Sequence, residues 1–285
     1  MPPAKKPVKM QRLGAIDLFA ESIQGALDFR VMVAPIMAFV LQLITVVAAL
    51  VAASPFIFFG LSAIAVDILV ATVLLLIGSV LFIIVLFVGT SILDGFYVKS
   101  VAEYLERKTM SIEENLRFAA KHWKKFTAAY LLYTMVVVLI AAITIMPGLV
   151  LSIGQLISLN PEYIAALAES SSLLILQALM PIIGLIAAGV IAFALVNFLL
   201  SPLLFLWFPA AVLEEKPLFD CIGKGYDIGK SKYLRNLAAL FLMSAVSTCI
   251  TVLQLVDPTV VIGIILSIWA GLAFNIMAIK VYAEG

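Results

Sequence analysis

Six apolar stretches, each about 20 residues long, follow one another along this chain, and nothing else in it restricts the possible folds as strongly. They occupy 31–53, 68–92, 126–146, 182–206, 236–255 and 260–279. At about 1.5 Å of rise per residue, a helix of that length crosses the roughly 30 Å hydrocarbon layer of a bilayer. The chain of 285 residues is 64% hydrophobic and 12% charged. A soluble domain is nearer roughly half apolar and about a quarter charged. So much apolar surface finds no core large enough to hide it from water, and the expected solvent is lipid.

Prolines set the expected ends of the spans. Pro35 falls in the first turns of the first span, where proline is tolerated. Residues 54–67, with Pro55 and Gly60, read as a short connection, and Pro147-Gly148 closes the third span. Residues 172–207 would make a helix of about 54 Å, too long for one crossing. The reading breaks it at Pro181, with an outer helix before the proline and the fourth span after it. Asn160-Pro161-Glu162 reads as a cap that opens a short outer helix over 163–168.

Lysine and arginine placement orients the spans, because short loops rich in these residues stay in the cytosol. They fall in the N-terminal segment, between spans two and three, between spans four and five, and at Lys280. An even number of spans gathers all 18 on one face. The opposite loops hold only Asp67, Glu162, Glu169 and Asp257. The expectation is a cell-membrane protein with both termini cytosolic. The basic start, with Lys5, Lys6, Lys9 and Arg12, is followed by Asp17, Glu21, Asp28 and Arg30 and then by a run long enough to span. It therefore reads as a cytosolic tail rather than a cleaved signal. A net charge of +1 argues against a nucleic-acid partner.

The basic segments share a design. Over 111–126, Ile112, Leu116, Ala120 and Trp123 fall on one helical face, with Glu113, Glu114, Arg117, Lys121 and Lys124 on the other. Ser111 with Glu114 is a capping box. Over 213–235, Leu218, Ile222 and Tyr226 oppose Lys216, Asp220, Lys224 and Asp227. Over 18–30, Phe19, Ile23, Ala26 and Leu27 oppose Glu21, Gln24 and Asp28. Such helices lie at the interface, apolar face in the acyl boundary and basic edge at anionic headgroups. The fold class is thus an all-α membrane protein, one domain over 1–285, with six transmembrane helices. These form three pseudo-repeats, about 13–92, 100–207 and 213–281, each a cytosolic amphipathic interfacial helix followed by two spans.

Residues for chemistry are scarce. His122 is the single histidine, so no metal set converges. Neither a phosphate loop nor a nucleophile elbow occurs, and no cofactor is called for. Gly223-x-Gly225 follows no strand and reads as relief of crowding near the membrane. Cys221 and Cys249 are too few for a disulfide framework and read as free thiols. No charge lies near the middle of a span, which lowers the case for a coupled transporter. The polar exceptions are Gln42, Gln177, Asn197 and Asn275. Asn197 and Asn275 are the candidate intramembrane polar contacts, either paired across spans four and six or coordinating a substrate. Gly263, Ser267, Gly271 and Asn275, and likewise Gly184, Ala188 and Ala192, recur every fourth residue and read as helix-packing faces, against this chain or another copy.

One span ends in Phe208-Pro209-Ala210-Ala211-Val212-Leu213-Glu214-Glu215. A Lys/Gly-rich helix follows, and Asn236-Leu237-Ala238-Ala239-Leu240 opens a new span. This cadence resembles a group of prokaryotic multi-pass integral membrane domains, among them the membrane domain ahead of some glycerophosphoryl diester phosphodiesterases. The resemblance implies a six-helix membrane domain without an established activity, and no catalytic residue carries over from it.

The function expected is that of a non-enzymatic scaffold or accessory subunit. Arg117, Lys121, Lys124, Lys125, Lys224, Lys230 and Lys232 are the candidate contacts to membrane lipids, anionic headgroups among them, or to a protein partner or a second copy. The alternative is a transporter or channel for a lipid or small apolar solute, with its pathway near Asn197 and Asn275.

Overall fold

The computed structural model describes residues 14–64, 66–106, 108, 111–158, 172–256 and 260–285. The cap at Asn160, the outer helix over 163–168 and the Gln177 side chain lie outside the residues and side chains described. Every regular element among the described residues is a helix. In chain order they are α1 (Ala15–Ala26), α2 (Phe29–Ala63), α3 (Ile68–Leu105), α4 (Ile112–Lys121), α5 (Trp123–Ser158), α6 (Ser172–Leu204), α7 (Trp207–Leu213), α8 (Leu218–Ser231), α9 (Tyr233–Val256) and α10 (Val260–Ala283). Six stretches are long and apolar enough to cross a membrane: Phe29–Ala63, Ile68–Leu105, Trp123–Gln155, Leu179–Leu213, Tyr233–Gln254 and Ile262–Ala283. The fold is an all-α membrane protein.

The helices overrun the expected ends, because proline does not stop them. α2 continues through Pro55, α5 through Pro147 and α6 through Pro181, so the break expected at Pro181 is absent and the 54–67 connection shrinks to a turn. Proline removes the N–H that would satisfy the carbonyl four residues back, which is costly without water. At two prolines the preceding serine replaces that donor. Ser54 Oγ donates to the Val51 carbonyl at 2.9 Å, the acceptor that Pro55 abandons. Ser201 Oγ donates to the Phe198 carbonyl at 2.6 Å, the one that Pro202 abandons.

The chain falls into two compact units, Met1–Tyr130 with Leu203–Gly285, and Leu131–Pro202. In the first, α2 and α3 form an antiparallel hairpin. Lipid gives apolar helices no reason to associate, so close backbone approach and interhelical hydrogen bonds must hold them. Small residues line this contact: Ala49, Ala53 and Gly60 of α2, and Ala71 and Gly78 of α3, are buried. A Cβ on Gly60 would sit 2.9 Å from Leu75 Cγ. Gln42 Nε2 donates to Thr90 Oγ1 at 3.0 Å across the same interface.

The protein's own core lies where the span ends meet the short helices. Phe96, Phe126, Leu18, Leu206, Leu272, Ile276 and Met277 are fully buried there. α10 is its axis: 44% of its most apolar window is buried, against 6–11% for the first four spans. Apolar length and protein burial are therefore separate properties in this chain, and most of the span surface is left for lipid.

The second unit is a helix pair. A Cβ on Gly148 would meet the Leu185 carbonyl oxygen at 2.7 Å, and one on Gly189 the Thr144 carbonyl oxygen at 3.1 Å. Ser152 Oγ donates to the Ile182 carbonyl at 3.3 Å. The expected packing stripe of Gly184, Ala188 and Ala192 is displaced by one residue: Gly184 faces open space and Gly189 makes the contact. The stripe on α10 holds only in part. Gly263 abuts Gln254, whereas Gly271 has no neighbour within 4 Å.

Candidate functional site

The short helices bury part of their apolar faces and leave the rest uncovered. α4 starts as expected, with Ser111 Oγ accepting the Glu114 amide at 3.3 Å. Its buried residues are Asn115 and Ala119, while Ala120 and Trp123 are exposed. α8 buries Cys221, Gly225, Ile228 and Gly229, and leaves Phe219 75% exposed. α1 buries Leu18, Ser22 and Ala26, and leaves Leu27 69% exposed. Small residues, which let the backbone come close, share the protein contact with larger ones: Leu18, Phe19 and Ile23 of α1, Ile112 and Leu116 of α4 and Ile228 of α8 belong to the core or pack against it. At Gly225 an added Cβ would lie 3.0 Å from the Leu206 carbonyl oxygen and 3.3 Å from Ala210 Cβ. The expected crowding near the membrane is therefore located at Gly225; Gly223 has open space.

Two buried polar contacts fix the α4 corner. Asn115 Nδ2 donates to Glu103 Oε2 at 2.7 Å and to Ser100 Oγ at 3.2 Å, both on α3. Phe126, the first core residue of α5, occupies the space beside Gly95, where a Cβ would meet its ring at 2.5 Å. On the other side, Glu214 ends α7 and gathers three partners. Its carboxylate accepts from Lys224 Nζ of α8 and from Tyr282 Oη of α10, the latter at 2.7 Å. Its backbone carbonyl accepts from Lys125 Nζ at 2.6 Å. Lys224, first, and Tyr282 hold the Glu214 carboxyl below the usual carboxylate range.

Between these two corners runs a groove of about 580 Å³. Glu114, Glu214 and Glu215 supply its acids and Arg117, Lys121 and Lys125 its bases. Phe118, Phe126 and Val212 form the apolar part of its wall. His122 also lines it, with Nδ1 3.0 Å from the Phe118 carbonyl and its ring 4.5 Å from the Phe118 ring. The groove thus lies where the first residues of α5 and the last of α7 leave the spans.

The seven basic candidates divide by partner. Lys125, Lys224 and Lys232 are engaged inside the protein, the last with Glu284 at 3.1 Å. Arg117 meets only Glu113, at 3.0 Å, with both side chains about four-fifths exposed (80% and 82%). Lys121, Lys124 and Lys230 are exposed and make no ion pair among the described residues, although Lys124 Nζ stands 5.8 Å from the centre of the Trp123 ring. Only Arg117, Lys121 and Lys125 share the groove.

A second groove, of about 600 Å³, lies between α9 and α10. Ser244, Ser247, Thr248 and Thr251 line one side, and Ser267 and Asn275 the other. Gln254 Nε2 closes one end by donating to Ser267 Oγ at 2.9 Å and the Gly263 carbonyl at 2.7 Å. Asn275 donates to the Gly271 carbonyl of its own helix at 3.0 Å. Asn197 belongs to the second unit and lines neither groove. Sequence reasoning missed Asp94 and Tyr97 of α3, whose Tyr97 hydroxyl is buried beside Asn275 and Asp94. Asp94 is 26 residues into α3, about 39 Å along it. Among the described residues no group of three or more metal-ligating side chains converges.

Comparison with family models, with curated proteins and with solved structures finds no match to this chain.

Proposed function

We propose that this protein is a non-enzymatic multi-pass membrane protein that engages phospholipid headgroups through its basic end and serves as a scaffold or accessory subunit. The basic end faces the cytosol in this reading, by the placement of Lys and Arg. One observation carries it: the short helices and their junctions leave some large apolar residues uncovered, near lysines that make no ion pair among the described residues. Phe219 is 75% exposed, Ile16 73% and Leu234 78%. Trp123, at the α4–α5 corner, is flanked by Lys121 and Lys124. Apolar side chains at the acyl boundary with cations at headgroup level are what an interfacial helix presents to a bilayer. Each lysine near an anionic surface contributes about 1 kcal/mol. The combined change Lys121→Gln, Lys124→Gln, Lys230→Gln should therefore cut retention of phosphatidylglycerol by the detergent-purified protein, read by native mass spectrometry, by tenfold or more. Unchanged retention rejects the reading.

The hydroxyl-lined groove between α9 and α10 favours a second reading, a pathway for an uncharged solute, since no charged side chain lines it. Ser247→Leu with Thr251→Leu would block flux in proteoliposomes. Flux equal to that of empty vesicles before any substitution removes this reading.

A further inference from the structure

The groove at the α4–α7 corner carries charges of both signs, and their arrangement selects among headgroups. Glu114, Arg117 and Lys121 stand at positions i, i+3 and i+7 of one helix, hence on one face, and all three line the groove. Glu215 faces them from the turn after α7. The internal contacts remove some of these groups from play. Glu214 is occupied by Lys224 and Tyr282, and Lys125 is held at the Glu214 carbonyl. Lys121 remains as a cation, and Arg117 is tied only to an exposed carboxylate, a contact that contributes little. Glu114 and Glu215 remain as carboxylates without ion pairs among the described residues, both exposed. The groove offers a cationic and an anionic subsite together, above a wall of Phe126 and Val212 that continues into the spans.

We propose that this groove binds the zwitterionic headgroup of a phosphatidylethanolamine-class lipid. This rests on the headgroup reading above. Arg117 and Lys121 receive the phosphate, whose oxygens accept their N–H donors. Glu114 and Glu215 receive the primary ammonium, whose three N–H donors need acceptors. A quaternary ammonium has no N–H to give and is favoured by aromatic cages instead. A purely anionic headgroup would meet the two free carboxylates without compensation. The lipid, rather than a free phosphoamine, is the occupant because the apolar wall leads from the charged rim into the membrane-spanning helices.

The test is competitive retention from equimolar dioleoyl phosphatidylethanolamine, phosphatidylcholine and phosphatidylglycerol in detergent, read by native mass spectrometry of the full chain. The ethanolamine lipid should be retained over each of the others by roughly three- to tenfold. Glu114→Gln with Glu215→Gln should abolish that preference by lowering retention of the ethanolamine lipid to the level of the other two. Both side chains are exposed, and the α4 cap uses the Glu114 backbone amide, so the fold tolerates the change. Lys121→Gln should lower retention of all three lipids. If Lys121→Gln has no effect, the headgroup reading itself fails. If it has its effect but the wild-type protein shows no ethanolamine preference, or the paired glutamine variant keeps one, only the zwitterionic assignment is overturned. Displacement of the lipid by millimolar free phosphoethanolamine (~1 mM, the strength of a weak headgroup-only contact) would also overturn the lipid as occupant.

Discussion

Glu214 joins three helices through one carboxylate and one carbonyl, and its two carboxylate partners should not count equally. Tyr282 is 7% exposed, so removing its acceptor strands a buried hydroxyl at a cost of about 1–3 kcal/mol. Lys224 has a side chain 41% exposed, so its ion pair falls on the surface scale, about 0.2–1 kcal/mol. Glu214→Ala should therefore destabilise by about 2–3 kcal/mol in all. Double-mutant cycles separate the two terms. Tyr282→Phe keeps the ring that Lys224 Nζ approaches at 5.0 Å, so the cycle with Glu214→Ala isolates the hydroxyl. Its coupling should be about 1–1.5 kcal/mol, and that of Lys224→Ala with Glu214→Ala about 0.5 kcal/mol. The assay is reversible unfolding in mixed micelles as the fraction of denaturing detergent rises. A lysine coupling larger than the tyrosine coupling would refute the burial argument. Additivity in both cycles, within about 0.3 kcal/mol, would remove Glu214 as a junction altogether.

The same carboxylate gives a pH dependence. Its folded pKa lies below the ordinary 4.5, so its stabilisation is complete above that value and is lost as pH falls through the lower folded value. The stability difference between wild type and Glu214→Gln should thus be constant from neutral pH to about 4.5 and shrink below it; a difference that shrinks between pH 7 and 5 contradicts this. Glu284, whose side chain is 1% exposed, neutralises Lys232 and Arg235, themselves 17% and 16% exposed. Glu284→Gln should cost about 2–4 kcal/mol in the micelle assay, somewhat less than for a fully buried pair, and a loss below about 0.5 kcal/mol would show the cluster to be solvated. Ser54→Ala leaves the Val51 carbonyl without its replacement donor beside Pro55, and should cost about 0.5–1.5 kcal/mol. Ser62→Ala, whose hydroxyl bonds a carbonyl already served by its helix, is the control expected to be nearly silent.

The spans were legible because lipid demands length and apolarity together, and six stretches among the described residues supply both. Their ends were not. Pro55 and Pro181 read as breaks on the rules for helices in water, whereas α2 and α6 run through them. At Pro55 the neighbouring Ser54 supplies the missing donor, a detail visible in the sequence but interpretable only with the helix in view. The apolar faces of the short helices are expected at the acyl boundary; instead Phe19, Ile23, Ile112 and Leu116 pack against the core, while Ala119 and Gly225, which the apolar pattern does not single out, are buried. Lys121 and Arg117 were recognisable as candidates from charge and spacing alone. That Glu215 stands across from them was not, since it lies more than 90 residues away in sequence and is brought there by α7.

Side-specific labelling of single cysteines tests the architecture most directly. In a Cys221→Ala, Cys249→Ala background, Lys121→Cys, Lys216→Cys and Lys230→Cys should react with a membrane-impermeant maleimide from one side of the bilayer. Val66→Cys, at an 88% exposed position between α2 and α3, should react only from the other. Lysine positions that label from opposite sides, or Val66→Cys labelled together with them, would contradict six spans with their cations gathered at one end.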